Sequence, residues 1–239
     1  VILQVSENCA AYHGSLAPIG AAVLALAADA AVPVAVHLDH ATSADLVREA
    51  AGLGFGSAMF DASVLPYADN VAATASIASW CHERGVWVEA ELGEIGGKDG
   101  VHAPGARTDP AQAAAFVRAT AVDALAVAVG SSHAMLTRDA VLDLGLVARI
   151  GAVVPVPLVL HGSSGVPDDA LGAAVAAGLT KINVATQLNK VFTAAVRDCL
   201  AERAAMTDPR RYLAAGRTAI AAEVSRLLAV LGADAGSYE

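Results

Sequence analysis

The chain is short of the residues that mark several protein classes. Its 239 residues include three cysteines, Cys9, Cys81 and Cys199, in neither CxxC spacing nor an even framework. That argues against a disulfide scaffold and for a reduced, intracellular protein. Basic residues are also scarce, with 15 Lys and Arg against 24 Asp and Glu and a net charge of −9. A general nucleic-acid surface is therefore not expected, although an anionic substrate at a locally positive site remains compatible with that balance. No uninterrupted apolar run reaches the ~18 residues of a membrane span, and no basic segment precedes an apolar one as in a signal peptide. The Ala-rich stretch from Ile19 to Ala28 is too short to span and stops at Asp29. A soluble cytoplasmic protein without a membrane partner is the expectation. An initiator Met is absent too, and the chain opens inside a strand-like run, Val1-Ile2-Leu3-Gln4-Val5.

What is present is apolar surface in alternating segments. Apolar residues make up 56% and charged residues 16%, which suggests buried strands and Ala-lined helix packing. Val1–Val5 reads as a strand, Ser6–Gly14 as a loop, and Ser15 as the N-cap of a helix to about Ala30. Strands follow at Val32–Leu38, Ser57–Phe60, Val86–Leu92, Ala124–Val129, Val156–Leu160 and Thr180–Val184. Helices are expected over Ser43–Leu53, Tyr67–Arg84, Asp109–Thr120, Leu142–Ile150 and Asp168–Ala177, then from Gln187 and from about Ala215, with Arg203–Tyr212 joining the last two. Glu94–Thr108 is a long loop bearing Gly and Pro, of the kind that carries function. Strands alternating with helices indicate a parallel sheet of βα units. Seven strands are counted, and a closed barrel needs eight. The expected fold class is therefore α/β, a TIM (β/α)8 barrel lacking its first βα unit in this chain. Residues 1–239 read as a single domain. An open Rossmann-like sheet is the competitor, but no GxGxxG follows a strand.

The polar residues gather at the carboxyl ends of these strands, where barrel active sites lie. In Ala35–Ser43, reading AVHLDHATS, strand alternation puts His37 and Asp39 on one face and leaves His40 at the turn. His40, His133 and His161 stand at comparable strand ends. Three imidazoles with an open position suit catalytic zinc, although each alone is more often a buried core histidine. Gly162-Ser163-Ser164-Gly165 and Asn183-Val184-Ala185-Thr186 place small residues and amides before helices, a pattern that suits phosphate and equally suits ordinary capping. Asp61 and Glu91 could place a second mono- or divalent cation, orient a histidine ligand or act as a base. Glu89 could instead pair with Lys181 inside a barrel. His82 reads as surface, and His13 and His102 are loop residues without an assigned role.

These segments resemble the class II, metal-dependent ketose-bisphosphate aldolases, and among them the fructose- and tagatose-bisphosphate enzymes. The matching stretches are VILQVSENC, HLDHATS, SAMFDAS, VEAELGEIGG, VDALAVAVGSSH, LVLHGSSGVP, KINVATQL and DPRRYL, which together span nearly the whole chain. The resemblance implies a TIM barrel and an aldolase cleaving a ketose 1,6-bisphosphate to dihydroxyacetone phosphate and glyceraldehyde 3-phosphate. It implies zinc on His40, His133 and His161, with Asp39 as the acid and base at the substrate's C4 oxygen. It implies that Gly162, Ser164, Asn183 and Thr186 hold the dihydroxyacetone phosphate half, that Ser6 touches substrate, and that Asp61 and Glu91 lie near a second cation. A homo-oligomer, dimer or tetramer, is implied as well.

The chain departs from the family pattern in places. The first strand and helix are absent, Ala134 and Ser163 stand where Gly is usual, Ala62 replaces the Gly after Asp61, and the loop Gly96–Gly100 is one residue short. Asp99, with Glu94 behind it, is the expected base for the hydroxymethyl proton. Two rivals remain at this point: a Schiff-base aldolase using Lys181, and a barrel or fragment that binds a phosphosugar without turning it over.

Overall fold

The computed structural model describes residues 1–92, 107–132 and 135–233. These fall into two compact units, the first from Val1–Glu94, Arg107–Val127 and Arg149–Val159, the second containing Ala128–Ala148 and Leu160–Glu239. The strands are β1 (Ile2–Ser6), β2 (Ala35–Ala41), β3 (Ser57–Phe60), β4 (Trp87–Glu91), β5 (Ala124–Ala126), β6 (Leu158–Leu160) and β7 (Leu179–Ile182). Their order in the sheet is their order in the chain. Sequential order with intervening helices is the connectivity of a TIM-like barrel, one strand short of the closed form's eight.

In the first unit, β1 to β6 pair parallel, with Val5 opposite Leu38, Ala58 opposite Val88, and Ala90 opposite Leu125. Parallel strands covered on both faces carry apolar runs rather than alternation. Accordingly Leu38, Met59, Val88 and Leu125 are fully buried, with Phe55 and Phe116 the bulkiest side chains beside them. The helices of this unit are α1 (Glu7–Tyr12), α2 (Leu16–Ala28), α3 (Ala44–Leu53), α4 (Tyr67–His82) and α5 (Pro110–Thr120); α6 (Leu144–Gly151) follows β5 in sequence. Their ends obey capping chemistry. Ser43 accepts from Leu46 N at 3.4 Å to open α3, and Asp109 accepts from Gln112 N at 2.8 Å to open α5 ahead of Pro110.

The second unit holds β7, where Asn183 N donates to Leu160 O at 2.9 Å, and the helices α7 (Asp168–Ala176), α8 (Thr186–Glu202) and α9 (Pro209–Val230). At Gly216 a Cβ would sit 2.4 Å from the Phe192 ring, so its absence is what lets α9 close onto α8.

Several boundaries differ from expectation, β5 for example ending at Ala126 rather than Val129, and four of the differences have a plain local cause. Ser6–Gly14 is not all loop: Ser6 Oγ accepts from Cys9 N at 3.1 Å, and with Glu7 in the first turn this nucleates α1. β2 runs from Ala35 to Ala41 rather than from Val32 to Leu38, starting beyond Pro33, which has no N–H to give a ladder. α6 starts at Leu144, because Asp143 accepts from Leu146 N at 2.8 Å. α9 starts at Pro209, six residues before Ala215, because Asp208 caps it and Pro209 occupies its first turn.

Candidate active site

In the first unit the polar residues sit where β1 to β4 end. The decisive local feature is in β2. Leu38 lies opposite Ala58 while Ala41 lies opposite Phe60, so β2 spends one extra residue between those pairs. That extra residue forms a bulge in which His40 adopts φ +49°, a left-handed conformation rarely taken by a residue with a Cβ. Holding it there costs on the order of 1–3 kcal/mol. The result is that two sequence neighbours, which a regular strand would send to opposite faces, bring ligand-type atoms within 4.8 Å of each other: those of Asp39 and His40. His40 thus lies in a bulged strand, not at the turn.

Each of these groups is held. His40 Nδ1 lies 2.9 Å from Asp61 Oδ2. A carboxylate only accepts, so Nδ1 carries a proton, and in the neutral ring Nε2 is the nitrogen with the lone pair. Asp61 is itself fixed, its Oδ1 accepting from Ser63 Oγ at 2.6 Å and Ser63 N at 3.2 Å, and its own N–H donating to Ala41 O at 2.8 Å. Asp39 Oδ1 accepts from Gln4 Nε2 at 3.0 Å. Asn70 on α4, fully buried, donates to the carbonyls of Glu91 and Leu92 at 3.0 and 3.2 Å and so fixes the end of β4. Burial pushes the His40 imidazole towards lower pKa. The Asp61 hydrogen bond and the charges of Asp39, Asp61 and Glu91 outweigh that, and its pKa is raised.

His40, Asp61 and Glu91 offer one nitrogen and two oxygens within 4.8 Å of one another. Ligands about 2.0–2.2 Å from one ion lie at most about 4.4 Å apart, so small movements would seat a cation. Asp61 and Glu91 are 4% and 1% exposed, and buried carboxylates at that spacing call for positive charge beside them. The donor chemistry therefore fits a metal. The fit also works with Asp61 as the partner that orients His40, since metal-binding histidines usually donate their other N–H to a carboxylate.

His37 is 2% exposed and lies between Ser57 Oγ, 2.8 Å from Nδ1, and Glu89 Oε2, 3.7 Å from Nε2. It belongs to the interior of the unit. Ser6 carries the cap of α1. Cys81 is fully buried, and burial raises its thiol to about 11, so it is neutral at physiological pH.

In the second unit the site residues follow β6 and β7, and the chemistry is neutral. His161 is fully buried, and its carbonyl accepts from Ser131 Oγ at 2.6 Å. Asn183 Nδ2 lies 3.2 Å from His161 Nε2; an amide N–H donates, so Nε2 is the acceptor of this pair. Gly162 has φ +67°, and a Cβ there would meet the Ser132 backbone at 2.5 Å. Only glycine fits. Ser163 is buried and donates to Asn183 O, tying the turn to the end of β7. Ser164 Oγ accepts from Gln187 N at 3.0 Å in the first turn of α8, which begins at Thr186. His133, Asp99 and Glu94 lie outside the described residues.

Sequence reasoning missed Gln4, Ser63 and Asn70. Gln4 carried a usable signal, because it shares strand parity with Ser6 and runs in register beside His37. Asn70 carried none, since only the packing of α4 on β4 brings it to the strand end.

Residues 1–235 match the model of the family "Fructose-bisphosphate aldolase class-II". Among solved structures, the chain is similar to the YdjI aldolase from Escherichia coli K12, with 29% identity and a TM-score of 0.84 over 100% of this chain and 83% of that one. It is also similar to a proposed fructose-1,6-biphosphate aldolase from Coccidioides immitis, at 28% identity and a TM-score of 0.85 over 98% and 83% of the two chains. The fructose-bisphosphate aldolase from Campylobacter jejuni, at 21% identity and a TM-score of 0.77 over 97% and 83%, shares the fold. Among the described residues no helix is long and apolar enough to cross a membrane.

Proposed function

Because this chain belongs to the class II fructose-bisphosphate aldolase family, a family of metal-dependent carbon–carbon lyases acting on small phosphosugars, we propose that it reversibly cleaves a ketose 1,6-bisphosphate of fructose or tagatose configuration with zinc as its metal. The products would be dihydroxyacetone phosphate and glyceraldehyde 3-phosphate. The observation that carries the reading is His40, forced into a left-handed bulge, its Nδ1–H given to a buried Asp61 and its ring surrounded by three carboxylates.

His40 is the proposed zinc ligand of the first unit, through Nε2, and the resemblance adds His133 and His161. Bound zinc would supply Lewis-acid stabilisation of the negative charge that cleavage leaves beside the ketone. Asp61 holds the His40 ring, and Glu91 with Asp61 is the proposed place for a second cation. Asp39, kept in one orientation by Gln4, takes the proton from the C4 hydroxyl in cleavage and returns it to the aldehyde oxygen in condensation. Asp99 is proposed to exchange the hydroxymethyl proton. Gly162, Ser164, Asn183 and Thr186 bind the dihydroxyacetone phosphate half through amides and hydroxyls, with Ser6 as a further contact.

The test is cleavage of fructose 1,6-bisphosphate and tagatose 1,6-bisphosphate, which differ only at C4. Release of both triose phosphates from at least one sugar is expected, lost on chelation and restored by zinc. Full activity in metal-free protein, with a borohydride-trapped adduct on Lys181, would overturn the reading in favour of Schiff-base chemistry.

A further inference from the structure

The turn after β6 and the first turn of α8 are linked by a closed run of polar contacts that the proposed roles leave unused. Arg138 donates to Val166 O through Nε and Nη2, at 3.1 and 2.7 Å, and pairs with Asp168 through Nη2. Arg226 of α9 takes the other oxygen of Asp168, and grips Glu223 with Nε and Nη2 at 2.9 and 2.8 Å. Glu223 Oε1 also accepts from Gln187 Nε2 at 3.0 Å, and Gln187 N donates to Ser164 Oγ. Val166 N donates to Ser163 O at 2.9 Å, which closes the ring around the turn. The Arg138 and Arg226 guanidiniums hold the Asp168 carboxyl below the usual carboxylate range, and Arg226 with Gln187 does the same for Glu223, so both links are ionised near neutral pH.

We infer that Gln187, anchored by Glu223 and Arg226, is a positioning residue that sets the distance between the Gly162–Gly165 turn and the start of α8, and so the shape of the phosphate cradle. This rests on the reading that Gly162, Ser164 and Thr186 receive a phosphate ester. A hydroxyl has one hydrogen and two lone pairs. With one lone pair of Ser164 Oγ taken by Gln187 N, its O–H is turned from the helix and left to donate to an anion. The Gln187 side chain keeps that donor in place by tying the first turn of α8 to α9, and the salt bridges stop α9 from sliding. The phosphate takes no part in bond cleavage, so a loosened cradle weakens substrate binding more than it slows turnover.

The decisive variants are Gln187→Ala, which removes the amide linking α8 to Glu223 while keeping a helix-forming residue, and Glu223→Gln. Cleavage kinetics, calorimetric titration with inorganic phosphate and with dihydroxyacetone phosphate, and thermal melting are measured on the zinc-loaded chain. Expected for both is a KM, and a Kd for either anion, raised about tenfold with kcat within about threefold, and for Gln187→Ala a melting temperature close to the parent's. Arg226→Lys gives no rescue, because an ammonium cannot bridge Asp168 and Glu223 as the planar guanidinium does. Unchanged KM and anion affinity in both variants would overturn the inference, as would a fall in kcat at constant KM. A parent that binds dihydroxyacetone phosphate but cleaves neither sugar contradicts the aldolase reading alone, and the affinity ratios still decide this one. A parent that binds neither anion overturns both.

Discussion

A bulged strand and a turn of this chain each hold a residue at positive φ, and they do so for opposite reasons. His40 reaches φ +49° although it carries a Cβ, because a bulge in β2 forces it there; Gly162 takes φ +67° freely because it has no Cβ, for which the Ser132 backbone leaves no room. Around His40 the neighbours are carboxylates: Asp39, Asp61 and Glu91. Around Gly162 they are hydroxyls and backbone groups, with the salt bridges kept one step back at Asp168 and Glu223. The strained, acidic end suits a cation and a moving proton. The neutral end, with a helix N-terminus beside it, suits an anion that must be gripped without reacting.

The largest effect should come from the acidic end. Asp39→Asn keeps the shape that Gln4 recognises but cannot take a proton, so kcat for cleavage should fall between about 10²- and 10⁴-fold. Steady-state kinetics with zinc content measured alongside would check it; a fall matched by zinc loss would instead make Asp39 part of the metal site. At the neutral end, Gly162→Ala should cost about 3 kcal/mol in chemical denaturation, the sum of backbone strain and a clash with Ser132. A loss below about 1 kcal/mol would show that the two loops do not meet as closely as described. Asp61→Asn still fits against Ser63, but no longer holds the His40 ring with a charge. Zinc affinity should drop 10- to 100-fold by competition with a chelating dye, while affinity for inorganic phosphate stays within about twofold. Parallel losses of both affinities would erase the distinction between the two ends.

How much of this could be read from the chain depends on sequence separation. The strand Ser57–Phe60 and the helix openings at Ser43 and Asp109 follow from a few adjacent residues, and they sit where expected, whereas Ser15 precedes α2 without a side-chain capping bond. That Asp39, Asp61 and Glu91 stand at strand ends follows from the βα alternation. The conformation of His40 does not, because parity arguments assume a regular strand and a bulge is an exception to that rule. The start of α9 is legible in Asp208-Pro209, a cap followed by a first-turn proline, within the stretch Arg203–Tyr212 that reads as the connection between the last two helices. The relay from Arg138 through Asp168 and Arg226 to Glu223 joins residues 30 and 58 positions apart, and nothing local announces it.

The smallest expected effect is in pH. Asp168 and Glu223 have folded-state pKa values below their ordinary range, so their stabilising contribution is complete above that range and is lost as pH falls through the folded values. Melting temperature should therefore decline below about pH 4, and less steeply in Glu223→Gln than in the parent. Asp168 is 39% exposed, so solvent screening keeps its share modest. An identical slope in the two proteins would remove Glu223 from this account.

The most direct test of the central claim is a zinc titration of the metal-free chain and of His40→Ala, followed by calorimetry at neutral pH. One catalytic zinc is expected in the parent, its binding restoring aldol cleavage, with a loss of at least about 100-fold in affinity in the variant. Equal zinc affinity in both proteins, or cleavage by the metal-free parent at its full rate, would contradict it.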